Sequence, residues 1–275
     1  MSLAEDRAQV FAANRAVGRI ALVAEYGRGI TRRVRLHEAG GLRMHFPGAR
    51  ARELEAVLIN TAGGIAGGDR FDLDIAAGDQ ARLAVGTAAA EKVYRSLGPD
   101  AQIGIKLSAG ADASLAWLPK ETILFDDARL NRTIDIDLAT DARLVFAEAV
   151  VFGRTGMGEA VKHGFFADRW RVRRGGALVF AETVRLDGEI GEKLARPAIA
   201  GGGGAIATVL VVPGDETFIA HIRDICASFS GEAGLSAWNG FAMARFCAQD
   251  ASRLRADVTA VLAATGAQLP RLWLN

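Results

Sequence analysis

The sequence predicts a mainly β protein: stacked β-hairpins forming a solenoid-like body, followed by a small C-terminal α+β portion in the order β-α-β-α. Three observations predict it. Apolar and polar residues alternate strictly over 71–75, 103–107 and 134–138, the period of a half-buried strand. Each of these runs is followed by a Gly/Asp/Thr turn and a second short apolar run. The units recur at 32 and 31 positions, Phe71 to Ile103 to Ile134, a spacing that suggests stacked β units. Beyond residue 204 the apolar period shifts from that of a strand toward that of a helix.

Taken in order, the second runs at 82–85, 114–118 and 143–151 complete three similar units, and stacked hairpins are expected from about residue 10 to 200. Further strands follow at 165–173 and 177–186, with Arg173-Arg174-Gly175-Gly176 as the hairpin turn between them. Gly201 to Gly204 is a connection, or a place where backbone approaches backbone. Residues 205–212 read as a buried strand ended by Pro213-Gly214. A helix is expected over 216–230, because Phe218, Ile219, Ile222, Ile225, Cys226 and Phe229 fall at helical spacing. A strand at 241–246 and a helix at 250–264, with Leu254, Val258, Val261 and Leu262 on one face, finish the chain. The division is therefore 1–204 for the β body and 205–275 for the α+β portion, packed on it as one compact unit.

Composition excludes several function classes. The 275 residues are 50% hydrophobic and 24% charged, with 33 basic and 32 acidic side chains and a net charge of +1. That balance creates no field drawing nucleic acid or an anionic membrane. The two cysteines, Cys226 and Cys247, form neither a disulfide framework nor a C-x-x-C motif. The N-terminus lacks the apolar core of a secretory signal, and no apolar run is long enough to span a bilayer. A cytoplasmic protein is expected. Gly63 to Asp69, GGIAGGD, is neither a P-loop, since no Lys-Ser/Thr follows, nor a dinucleotide fingerprint, since a strand and not a helix comes next. The four histidines at 37, 45, 163 and 221 are scattered, and no tight transition-metal site or bound cofactor is written in the chain.

Two glutamates stand where carboxylates are costly. Leu144, Phe146, Glu148, Val150 and Phe152 share one strand face; Leu178, Phe180, Glu182, Val184 and Leu186 share another. A carboxylate buried alone is destabilising by several kcal/mol, in order of magnitude, or takes up a proton. Each glutamate therefore meets an arginine, of which the chain has 28 against 5 lysines, or borders a polar channel. Asp69, directly after Gly67-Gly68, is either a turn former or a third acid of such a channel. Arg169, Arg171, Arg173 and Arg174 make a local cationic cluster, readable as a solvated hairpin or as the rim of a partner-binding surface.

Several longer strings resemble one family. VLINTAGGIAGGDRFDLDI at 57–75, AAAEKVYRS at 88–96, WLPKETILFDDARL at 117–130, EAVVFGRTGMGE at 148–159, DRWRVRRGGALVFAETVRLDG at 168–188 and the terminal LPRLWLN follow the order of the urease accessory protein UreD (UreH) family. The family's frequent prolines are Thr61 and Ala62 here. The resemblance implies a non-enzymatic, mainly β scaffold of nickel urease maturation. It implies a complex with apo-urease, the helical accessory protein UreF and the GTPase UreG, and it allows a dimer of such complexes. It also implies transient Ni²⁺ with no tightly bound cofactor, and makes Asp69, Glu148 and Glu182 candidates for the nickel path. Carboxylates hold Ni²⁺ more loosely than imidazole or thiolate, which suits a relay. Two other readings compete: a carbohydrate-active β-solenoid enzyme using Glu148 and Glu182 as its acid pair, and a purely structural adaptor in which both glutamates form ion pairs.

Overall fold

The computed structural model describes residues 14–48, 52–96, 98–267 and 269–273. The protein is mainly β, a stack of coils resembling a β-solenoid with a few helices near its C-terminus. Residues 10–13, where the β body was expected to begin, lie outside the described residues.

Two sheets face each other. Sheet A runs β14-β13-β11-β8-β5-β1-β2, with β1 Val17–Gly27, β2 Ile30–Gly40, β5 Arg70–Ala77, β8 Ala101–Ala109, β11 Arg129–Leu138, β13 His163–Arg174 and β14 Ala177–Glu189. Sheet B runs β16-β17-β15-β12-β9-β6-β4-β3, with β3 Leu42–His45, β4 Leu54–Asn60, β6 Arg82–Thr87, β9 Ser114–Leu118, β12 Arg143–Phe152, β15 Ala205–Val212, β16 Glu232–Trp238 and β17 Phe241–Ala248. The short strands β7 Glu91–Val93 and β10 Thr122–Leu124 pair in parallel and join the end of β12.

The repeated unit is an arch rather than a hairpin. β5 and β6 belong to different sheets, as do β8 and β9, and β11 and β12. Three equivalent turns carry the chain across: Ala81 N donates to Gly78 O at 3.0 Å, Ala113 N to Gly110 O at 3.2 Å and Ala142 N to Ala139 O at 3.1 Å. Gln80 and Asp112, 32 positions apart, both take a positive φ (61° and 51°) inside their turns. Successive arches then stack in parallel, with β5 on β8 and β8 on β11.

The register corrects the period. Phe71 lies beside Ile103, a step of 32, but Ile105 lies beside Ile134, a step of 29 rather than the 31 that aligns Ile103 with Ile134. The residue beside Ile103 is Arg132. A guanidinium therefore occupies a place in the row that Phe71 and Ile103 fill with hydrocarbon.

Predicted hairpins do occur at the ends of the stack. β13 and β14 are antiparallel across Gly175-Gly176, whose φ values of 56° and 82° suit the tight turn. Sheet B continues without interruption past residue 204, because β15 pairs antiparallel with β12. The helices are α1 Ile190–Leu194, α2 Glu216–Cys226 and α3 Ala251–Ala264; α1 and the strand β16 carried no clear sequence signal. Asp215 and Asp250 cap α2 and α3, accepting from Phe218 N at 2.9 Å and Arg253 N at 3.0 Å. α2 and α3 bury Ile222, Leu254, Val258, Val261 and Leu262 on the outer face of sheet B. With sheet A on one side and helices on the other, β12 and β15 are buried on both faces, hence their near-continuous apolar sequences.

Candidate functional site

Glu148 is 4% exposed and sits on the inner face of β12, between the sheets. Arg132, also 4% exposed, reaches it from β11 across the interior, Nη1 donating to Glu148 Oε2 at 2.6 Å. The same guanidinium grips Asp168 of β13 in bidentate fashion, Nε to Oδ1 at 3.0 Å and Nη2 to Oδ2 at 2.6 Å. Trp117 Nε1 of β9 donates to Glu148 Oε1 at 2.8 Å, and Thr122 Oγ1 lies 3.4 Å from Arg132 Nη1. Asp168 shares its face with Phe166, Trp170 and Val172, all buried. Two carboxylates against one guanidinium leave the cluster one unit negative when both are ionised. Burial pushes the Glu148 carboxyl above its usual range; Arg132 opposes the rise and Asp168 adds to it. Arg132 stays protonated, its two acids outweighing the effect of burial.

Cavities lie on both sides of this cluster. One, of about 30 Å³, is lined by Arg132, Glu148, Asp168, Trp170, Glu182 and Thr208 among others. The other, of about 60 Å³, is lined by Arg132, Glu148, Trp117, Thr122, Glu91 and Lys120 among others. The first spans β11 to β14 of sheet A and β12 to β15 of sheet B; the second spans β5 to β11 and β3 to β12. They extend in opposite directions along the stack and share Arg132 and Glu148 as a common wall. At the far side of the first stand the half-buried Glu182, Val184, Ile206 and Thr208; at the far side of the second, the half-buried Leu58, Thr87, Glu91 and Lys120. Trp170 Nε1, on the first cavity, is buried with no hydrogen-bond partner among the described residues. An orphaned indole N–H beside a space of this size calls for a water oxygen.

A model of the UreD urease accessory protein family matches residues 16–274. The chain belongs to the UreD urease accessory protein family. It is 62% identical over 266 residues to the urease accessory protein UreD of Rhodopseudomonas palustris strain BisA53, covering 97% of this chain and 93% of that one. It is 62% identical over 266 residues to that of Bradyrhizobium diazoefficiens strain USDA 110, covering 97% and 96%. It is 59% identical over 273 residues to UreD 3 of Bradyrhizobium sp. strain BTAi1, covering 99% and 98%. The family's name describes an accessory role.

In this UreD-family chain, two of the three expected acids meet. Glu148 and Glu182 line the same cavity. Glu182 is partly exposed and paired with Arg245 of β17 at 2.8 Å. The apolar row expected on its strand is not buried throughout: a bulge between Val172 and Arg173 shifts the register, and Leu178 comes out 53% exposed beside Arg173. Asp69 is buried too, but it lines neither cavity. Its Oδ1 accepts from Ala16 N at 2.8 Å and its Oδ2 from Ala66 N at 2.7 Å, which ties the glycine-rich loop to the start of β1. Asp69→Ala strips both amides of their acceptor and is expected to lower the unfolding free energy by about 2 kcal/mol, read from urea melts; an unchanged midpoint would remove that role.

Arg169, Arg171 and Arg173 of β13 project outward and alternate with buried residues, and Arg174 follows at the end of the strand. Arg171 lies in register with Asp135 and Arg173 with Asp137, and Arg174 Nε donates to Thr140 O at 2.8 Å, so neighbouring acids offset much of the cluster. Sequence reasoning missed Arg132, Asp168, Glu91 and Trp170. The smaller cavity has room for roughly two waters and no sugar ring, so a carbohydrate has no groove between Glu148 and Glu182. Among the described residues, no group of three or more His, Cys, Asp and Glu side chains could hold a metal ion. Burial pushes both thiols up, with Asp257 adding to the rise at Cys226 and Glu232 at Cys247. Among the same residues no helix is long and apolar enough to cross a membrane.

Proposed function

We propose that this protein is a cytoplasmic maturation scaffold that binds apo-urease together with UreF and UreG, and that Ni²⁺ passes through it by way of Glu148 and Glu182. The observation that carries the reading is the cluster of two carboxylates and one guanidinium buried between two cavities. A cation crossing the interior from either side meets Glu148. The residues there are oxygen donors too few to trap a divalent ion, so the ion keeps part of its water shell and moves on. Glu182, half-buried and paired with Arg245, serves as the acid at the outer end of the smaller cavity. The outward face of β13, with Arg169, Arg171, Arg173 and Arg174, is a docking rim in this reading.

The test is coexpression of urease subunits with UreF, UreG and this chain carrying Glu148→Gln and Glu182→Gln together. Urease nickel content and activity are expected to fall well below wild type while this chain still copurifies with UreF. Wild-type nickel loading would show that the two charges are not used in transfer. Loss of copurification from either single change would favour the adaptor reading, in which the acids serve only to hold the fold.

A further inference from the structure

β2 ends sheet A: β1 pairs with one side of it, and among the described residues no strand pairs with the other. Two hydrogen bonds fix which of its backbone groups face outward. Thr31 N donates away from β1, to Arg52 O at 3.1 Å, whereas Gly41 N, just past the strand, donates to Val17 O at 3.3 Å. In an antiparallel ladder, bonded and non-bonded pairs alternate. Counted from these two points toward the bulge opposite Val23 and Ala24, the N–H groups of Arg33, Leu36 and Glu38 point away from β1. None of the three finds an acceptor among the described residues. The edge is also cationic. Arg28 in the turn and Arg32, Arg33 and Arg35 in the strand are exposed, and none forms an ion pair among the described residues. Glu25 of β1 lies in register with Arg32 but makes no ion pair with it. Glu38, the one acid of the strand, accepts from Met44 N at 2.5 Å, and the Arg33 guanidinium lies over the Phe46 ring at 4.8 Å. Val34, at the bulge, is 54% exposed and adds an apolar contact.

We infer that β2 is a docking edge for an extended acidic segment of another protein, which adds a strand to sheet A. Main-chain bonds to Arg33, Leu36 and Glu38 hold such a segment, and its acids meet Arg32 and Arg35. A second copy of this chain does not fit the place. β2 against β2 sets arginine opposite arginine, and like charges directly opposite are destabilising. β14, the strand at the other end of sheet A, has its acids engaged already: Glu182 with Arg245, Asp187 with Arg185 and Glu189 with His163. The inference is independent of the proposed nickel passage, since β2 lines neither cavity.

Amide hydrogen exchange in the ¹⁵N-labelled full-length protein tests it. The probe is a capped peptide of alternating Glu and Thr, as long as β2, and the control is its Lys/Thr counterpart. The Glu/Thr peptide is expected to slow exchange at Leu36 and Glu38, which face outward, and to leave His37 and Ala39, which are bonded to β1, unchanged. The double variant Arg32→Glu, Arg35→Glu, altered only at exposed side chains, should bind that peptide at least about tenfold more weakly and should prefer the Lys/Thr peptide. Binding of the Glu/Thr peptide without slower exchange at Leu36 and Glu38 overturns the inference, because the arginines then attract the peptide without pairing it. Equal effects of the two peptides on the wild type, or none from either, also overturn it and leave the arginines and the bulge as devices that keep the edge unpaired. Protection at Leu36 and Glu38 that rises with protein concentration alone would assign the edge to a second copy instead.

Discussion

Arg132→Met should be among the most damaging single substitutions in the body of this protein. The side chain that replaces the guanidinium fills similar space but leaves Glu148 and Asp168 facing each other in the interior. Removing one partner of a buried ion pair is destabilising by about 3–5 kcal/mol, because the remaining charge is left without compensation. Urea denaturation should show a midpoint lowered accordingly at pH 8. The loss should shrink on acidification: without Arg132 nothing opposes the effect of burial on Glu148, whose proton is then held more tightly in the folded state than in the unfolded chain, so its penalty builds as pH rises past the unfolded carboxylate range and disappears below it. The triple replacement Arg132→Met, Glu148→Gln, Asp168→Asn removes the charges together and should recover most of the deficit. An unfolding free energy within about 0.5 kcal/mol of wild type for Arg132→Met alone would mean that water, not the guanidinium, neutralises the two acids.

Glu91→Gln should act in the opposite direction. Burial lifts the Glu91 carboxyl from 4.5 to about 7, with the Asn60 and Lys92 contacts opposing the rise. In the metal-free protein the folded state therefore holds the Glu91 proton more tightly than the unfolded state does. Below pH 4.5 both states are protonated and Glu91 contributes no penalty. Between 4.5 and about 7 the unfolded chain ionises first and stability falls; above about 7 the full penalty is present. At roughly 1.4 kcal/mol per pH unit, the difference amounts to about 3 kcal/mol. Gln keeps an oxygen for Asn60 and carries no charge, so Glu91→Gln should be more stable than wild type by about that amount at pH 8 and equal to it near pH 4. A gain that is the same at both pH values would show that the effect is not ionisation of Glu91.

Such a stabilising change at a position oriented by its own hydrogen bond is the mark of a residue kept for something other than stability. Arg132, by contrast, serves both the fold and the passage, which is why Glu148→Gln and Glu182→Gln, rather than Arg132→Met, are the variants that separate the two roles.

Glu148 was legible because its neighbours at even spacing, Phe146 and Val150, are apolar. The same rule reaches two residues that were overlooked. Leu130, Arg132, Ile134, Ile136 and Leu138 share a face, as do Phe166, Asp168, Trp170 and Val172; each row holds one charge among hydrocarbon. Starting β11 at Ile134 hid Arg132, and reading β13 for its outward arginines hid Asp168. Glu91 left no such trace, because a three-residue strand is too short to display a period. The pairing of Glu182 with Arg245 joins positions 63 apart in strands of opposite sheets, and no local pattern encodes it.

The amino-acid order by itself determined the strand period, a repeat of about thirty residues, the two longer C-terminal helices and the family, because each is written in residues near one another or in strings of fixed order. It also determined that charge is buried at Glu148. Whether consecutive strands pair with each other or arch between two sheets was decided only in three dimensions. Alternation records which side of a strand is apolar; it does not record which strand lies beside it. The turn at Gly78–Ala81 and its two counterparts send the chain across to the other sheet, and parallel stacking then satisfies the backbone with partners about thirty residues away. That closure brings Arg132, Glu148 and Asp168 together from three strands and leaves a space on each side of them. A buried charge becomes a site only when the packing around it also supplies the cavity, and packing belongs to the whole fold.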